Sequence, residues 1–215
     1  MFTSSVRDVM KIKALTLLTM ILLVTTAAAQ ADVFEETSDS TVKIMADDRE
    51  FGSGFIYEDY IITSQHVVRE SQDIQIEFTT GENAQATTLR ENVSLDLALL
   101  EADIPEELEP LQLAEQTETG EQVAAIGYPY ATGPAILEGD IVDNSTTLHL
   151  AQENRIFEEV VRTDAEIMPG NSGGPLVDRE GEVHGVVTAK SDIGGYAISA
   201  TQVRQFTENN ATAYE

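Results

Sequence analysis

Gly170-Asn171-Ser172-Gly173-Gly174-Pro175-Leu176-Val177 sets one hydroxyl among three glycines at the entrance to an apolar run. Glycine, asparagine, serine and proline are turn formers, so the stretch reads as a tight loop leading into a strand. By itself it does not separate a bend from a nucleophile. Outward from it, short apolar runs with period-two alternation and frequent turn residues dominate, and helical periodicity is scarce. Upstream, Thr41–Met45, Phe55–Tyr57, Tyr60–Thr63, the alternating Ile74, Ile76 and Phe78, and Leu95–Leu100 read as strands, with Glu58-Asp59 turning a hairpin. From about 101 to 120 the composition shifts to Glu, Pro, Gln and Thr, a connector. A second β-rich half follows with candidates at Gln122–Gly127, Ala135–Leu137, Thr147–Leu150, Val160–Arg162, Pro175–Val177 and Val183–Val187. Thr201–Glu208 carries Val203 and Phe206 three apart, the spacing of a short closing helix, with Ser199 or Thr201 as its cap. The fold class is all-β.

A serine hydroxyl is too weakly acidic to attack a carbonyl unaided, so Ser172 would need a base within hydrogen-bond reach. His149 and His184 lie inside alternating strands, where a solvent-facing or satisfied ring is the plain reading. His66, in Ile61-Ile62-Thr63-Ser64-Gln65-His66-Val67-Val68, falls where an apolar strand turns polar, at the rim of a core. Asp96 stands inside Leu95-Asp96-Leu97-Ala98-Leu99-Leu100; burying an unpaired carboxylate there would cost several kcal/mol, so it requires a partner. That partner is either an imidazole, held in the tautomer that frees its other nitrogen for Ser172, or a structural ion pair with Arg69 or Arg90. Backbone amides of Gly170 and Ser172 could face a developing oxyanion if the glycines let the loop fold tightly.

Arg7, Lys11 and Lys13 precede an uncharged apolar run from Ala14 to Ala29, followed by Ala29-Gln30-Ala31, the layout of a secretory signal peptide over residues 1–31. The run is short for a membrane span of about 20 residues. Export to the periplasm or the medium is therefore expected, with no stable membrane insertion after cleavage. The whole chain of 215 residues has 12 Lys and Arg against 38 Asp and Glu, a formal net charge of −26. Loss of the leader removes Arg7, Lys11, Lys13 and Asp8, leaving 9 bases and 37 acids. Such a surface repels nucleic acid and anionic lipid. The chain has no cysteine, so an exported fold would stand on its core without disulfides.

Five motifs in order carry a resemblance: Gly52-Ser53-Gly54-Phe55, Ile62–Val68 around His66, Asp96–Leu100, Ala125-Ile126-Gly127-Tyr128-Pro129, and Thr163–Leu176 around Ser172. With 30 residues from His66 to Asp96 and 76 from Asp96 to Ser172, the chain resembles the trypsin-like serine proteases, and among them the Deg/HtrA branch. The resemblance implies two antiparallel six-stranded β-barrels and a short C-terminal helix. It assigns the protease domain to residues 41–208, with barrels at about 41–105 and 121–200, a flexible segment at 32–40 and a tail at 209–215. It also implies His66 as general base, Asp96 as its orienting carboxylate, Ser172 as nucleophile, and the amides of Gly170 and Ser172 as oxyanion hole. Asn171 stands where trypsin-type zymogens keep an aspartate, implying that propeptide cleavage is not the activating switch.

Proteins or peptides would be the substrates, with no cofactor and no metal: His66, His149 and His184 are widely spaced and lack HxH or HExxH pairing. Two departures from the family bear on function. Only Ser199–Glu215 follow the last motif, too few for the PDZ module usual in that branch. The primary pocket is expected to involve Glu166, Thr188 and Lys190. A carboxylate at Glu166 favours Arg or Lys at the cleavage site, the branch favours small aliphatic residues, and Lys190 could neutralise Glu166; the choice stays open. Oligomeric state is not legible. The rival reading is a catalytically silent barrel protein with a binding or chaperone-like role.

Overall fold

A computed structural model describes residues 33–47, 50–150 and 155–208. The expected signal segment and the tail at 209–215 lie outside the described residues. Strands β1 (Thr41–Ala46), β2 (Glu50–Tyr57), β3 (Tyr60–Ser64), β4 (Ile74–Glu77), β5 (Asn83–Asn92) and β6 (Leu97–Glu101) close into a barrel in the order β1-β2-β3-β6-β5-β4. The β2–β3 hairpin turns at Glu58-Asp59, with Tyr57 opposite Tyr60. Every pairing in this barrel is antiparallel.

The second half carries β7 (Gln112–Leu113), β8 (Gln122–Gly127), β9 (Ala135–Leu150), β10 (Arg155–Thr163), β11 (Pro175–Asp178), β12 (Glu182–Ser191) and β13 (Gly194–Ser199). Six of them form a ring, β11-β8-β9-β10-β13-β12, closed where β11 pairs with β12. The seventh, β7, runs parallel beside β12, so the connector contributes a strand. Leu111 and Ala114 also tie it down, their amides donating to Ile56 O at 2.9 Å and Val183 O at 3.0 Å. One 16-residue strand, β9, replaces the two short runs read from the sequence.

Three apolar clusters show why several runs lack clean alternation. Inside the first barrel lie Ile44, Ile56, Ile61, Ile76, Ala98 and Leu100. Inside the second lie Val123, Ala125, Val161, Leu176 and Val187. Between the barrels, Phe55, Ile62, Leu97 and Leu99 meet Ile126, Val186, Ile198, Val203 and Phe206. Strand β6 is thus buried on both faces, which makes its sequence continuously apolar.

Residues 33–39, expected to be flexible, are helical (α1). Phe34 is buried in the inter-barrel core, under the Arg179 guanidinium at 4.4 Å from its ring. Helix α2 (Gln65–Val68) is a single turn after β3, and α3 (Ala200–Glu208) closes the fold. Ser199 caps α3, accepting from Gln202 N at 3.4 Å. Val203 and Phe206 lie on one side of α3 and join the inter-barrel core, a burial worth about 1.5–3 kcal/mol for each side chain. Among the described residues no helix is long and apolar enough to cross a membrane.

Candidate active site

The polar end of β3 feeds α2, and this turn is held against the residue that precedes β6. Gln65 N donates to Asp96 O at 3.0 Å, and His66 N donates to Asp96 Oδ1 at 3.0 Å. The His66 ring returns to the same carboxylate, with Nδ1 2.8 Å from Oδ2. Since a carboxylate only accepts, Nδ1 carries the proton, and Nε2 is left for a partner in the cleft. Asp96 is fully buried and takes φ +57°, the left-handed conformation that aims its side chain back at α2. Thr188 on β12 donates its hydroxyl to Asp96 Oδ2 at 2.6 Å. Burial alone pushes the carboxyl group up, but the hydrogen bonds and charge of His66 and the Thr188 hydroxyl outweigh it and hold Asp96 below the ordinary carboxylate range.

Ser172 comes from the loop between β10 and β11. Its carbonyl accepts from Ser53 N of β2 at 2.8 Å, which fastens the loop to the first barrel. Gly173, at φ +87°, lies so close to β2 and β3 that a Cβ there would run into the Ser53 carbonyl oxygen and the Thr63 hydroxyl. Gly170, at φ +103°, leaves no room for a Cβ beside the Tyr128 carbonyl. The loop's other amides are engaged: Asn171 N with Met168 O, Gly173 N with Val187 O at 2.7 Å, and Gly174 N with Asn171 O. Among the described residues the amides of Gly170 and Ser172 have no acceptor, the state required of oxyanion donors. Asn171 is buried and accepts from Met168 N at 3.1 Å through Oδ1, which braces the loop from within.

His66, Asp96, Ser172, Thr188, Lys190 and Arg155 all line one cavity of about 1220 Å³. First-barrel and second-barrel side chains therefore meet across a single cleft. Thr188, expected in the pocket, lines the cleft, but its hydroxyl is spent on Asp96. Glu166, expected in that pocket, is exposed and absent from the cavity lining, while Lys190 belongs to it. The cation paired with Asp96 is neither Arg69 nor Arg90 but Arg155, 3.6 Å from Oδ1. Arg90 instead stacks over Phe206 and bonds its carbonyl.

Away from the cleft, His149 on β9 is exposed, and buried His184 sets Nε2 2.9 Å from Asp178 Oδ2 and Nδ1 3.0 Å from Thr117 Oγ1. Among the described residues no three His, Asp or Glu side chains cluster as a metal site. Sequence reasoning missed Arg155 and the role of Ser53. Ser53 stands in the quoted Gly52-Ser53-Gly54 motif, whereas nothing in the run around Arg155 marks it.

The trypsin-like peptidase domain family matches residues 52–186. The chain is 36% identical over 163 residues to serine protease HTRA4 of Mus musculus, covering 74% of this chain and 34% of that protein. It is 34% identical over 191 residues to serine protease HTRA1A of Danio rerio, covering 82% of this chain and 40% of that one. The chain thus spans well under half the length of these relatives. Among solved structures, a serine endoprotease from Yersinia pestis superposes with TM-score 0.70 at 27% identity, over 82% of this chain and 65% of that chain. An inactive form of Rv3671c from M. tuberculosis H37Rv gives TM-score 0.72 at 26% identity, over 85% of this chain and 92% of that one. The family match runs from β2 into β12, takes in the loop that carries Ser172 and spans more than half of the chain, and on that ground the chain belongs to the trypsin-like peptidases, with HtrA serine proteases among its homologues.

Proposed function

We propose that this chain is an exported serine endopeptidase that hydrolyses peptide bonds of proteins through an acyl-enzyme. The observation that carries the reading is the 2.8 Å bond between His66 Nδ1 and buried Asp96, in a cleft that Ser172 also lines. In the reaction His66 Nε2 takes the Ser172 hydroxyl proton as Oγ bonds to the scissile carbonyl carbon. The carbonyl oxygen gains the negative charge and is met by the Gly170 and Ser172 amides. His66 then gives the proton to the leaving nitrogen, the C–N bond breaks, and the acyl group stays on Ser172. A water molecule, deprotonated by the same ring, repeats the sequence and frees the second product. Asp96 fixes the ring tautomer throughout and balances the transient imidazolium charge. The apolar leader and its small-residue end support export.

A fluorophosphonate probe tests the reading. It should label the wild type at Ser172 and leave Ser172→Ala blank, and protein hydrolysis should survive chelators. A folded, unlabelled wild type would defeat it.

A further inference from the structure

We propose that Arg155 is a positioning residue for the Asp96–His66 pair, acting as a fixed positive charge that the second barrel lends to a carboxylate of the first. The inference rests on the protease reading above. Asp96 precedes β6 and His66 sits in α2, whereas Arg155 opens β10. Its guanidinium Nη2 donates to Val93 O at 2.8 Å and stands 3.6 Å from Asp96 Oδ1. The second distance is too long for a hydrogen bond but is within ion-pair reach. Asp96 Oδ1 takes its hydrogen bond from the His66 amide, and Oδ2 is shared by the His66 ring and Thr188. Arg155 therefore contributes charge rather than another hydrogen bond. The geometry is held from one further side, since the guanidinium stacks 4.5 Å over the Phe157 ring, and the side chain is 24% exposed. At that depth screening by solvent is incomplete.

A cation beside Oδ1 offsets part of the charge with which Asp96 favours a proton on the facing imidazole. Removing the cation strengthens that hold, and the base form of His66 then requires a higher pH. Among the described residues, the other charged groups lining the cavity are Arg69 and Glu70 beside α2, Glu91 on β5 and Lys190 on β12, all exposed. They are unchanged between the variants compared.

The experiment measures kcat/KM against pH for wild type, Arg155→Gln and Arg155→Lys, with probe labelling of Ser172 in each. The acid limb should move up by about 0.5–1 pH unit in Arg155→Gln and return most of the way in Arg155→Lys. An unmoved limb in a folded Gln variant, or an equal shift in the Lys variant, would overturn the inference while leaving the protease reading intact. If Arg155→Gln does not fold, Arg155→Met, which keeps an unbranched side chain without the charge, replaces it. Failure of both to fold makes Arg155 a folding residue and overturns the inference. A wild type that is not labelled removes the protease reading and this inference together.

Discussion

Ser53 is a small residue with an unusual number of duties. Its hydroxyl donates to Gly170 O at 2.7 Å and accepts from Tyr128 N at 2.9 Å, while its amide holds Ser172 O. The side chain is fully buried. From outside the cleft lining it therefore holds the carbonyls of Gly170 and Ser172, the two residues whose amides are the proposed oxyanion donors. Loss of an oxyanion donor outright costs roughly 10²–10³ in kcat, and displacing one should cost less. Ser53→Ala should lower kcat by about 10-fold or more with KM nearly unchanged, and Ser53→Thr should restore most of it. A loss confined to KM, or no rescue by threonine, would reduce Ser53 to a packing role. At this scale the sequence was informative about His66, Asp96 and Ser172, because each stands out chemically against its neighbours. The roles of Ser53, Thr188 and Arg155 do not stand out: their partners lie 117, 92 and 59 positions away along the chain, so only the fold shows what each holds.

At the scale of elements, apolar periodicity finds strands only where a face is buried. Strand β5 has one fully buried side chain, Ala86, and pairs between β4 and β6 as a polar ribbon, so alternation could not reveal it. The connector was read from its polar composition alone; of its few apolar residues, Leu111, Leu113 and Ala114 are buried, and Ala102, Ile104 and Leu108 pack partly buried against the first-barrel core. It is also clasped through Thr117, whose hydroxyl meets Nδ1 of His184, while Nε2 of that ring meets Asp178. Burial pushes the Asp178 carboxyl up, but bonds from His184 and from the amides of Glu182 and Glu180 hold it below the ordinary carboxylate range. A carboxyl group depressed by folding stabilises the fold above its unfolded value of about 3.9 and loses that contribution as pH falls below it. Asp178→Asn should thus cost about 1–3 kcal/mol near pH 7, and thermal melts should show the gap to wild type narrowing between about pH 5 and pH 3. A gap that widens on acidification would mean that the charge of Asp178 is not what the clasp uses.

At the scale of the whole molecule, two features the sequence made plain act together: a chain of two β-rich halves and a formal net charge of −26. What it could not show is that a third apolar cluster joins the halves, because residues such as Leu97 and Phe206 acquire partners only in three dimensions. Phe206 sits in that cluster together with strands of both barrels, and the cleft runs between side chains of the same two barrels. Excess negative charge opposes such close packing through self-repulsion. Attractive pairs are sparse in comparison: Lys43–Glu77 at 2.7 Å and Arg179–Glu138 at 2.6 Å each leave the acid substantially exposed, and surface pairs of that kind contribute about 0–1 kcal/mol. Salt reduces both effects, with a screening length of about 10 Å at 0.1 M and about 3 Å at 1 M. Because the repulsive side dominates in number, screening should stabilise the fold. Melting temperature should rise by several degrees between about 0.05 and 0.5 M sodium chloride, and lithium or potassium chloride at equal ionic strength should act alike, as expected of screening rather than of a bound ion. A melting temperature that falls with salt would show that the few ion pairs outweigh the crowd of like charges, and that the acidic surface is no burden on the joined barrels.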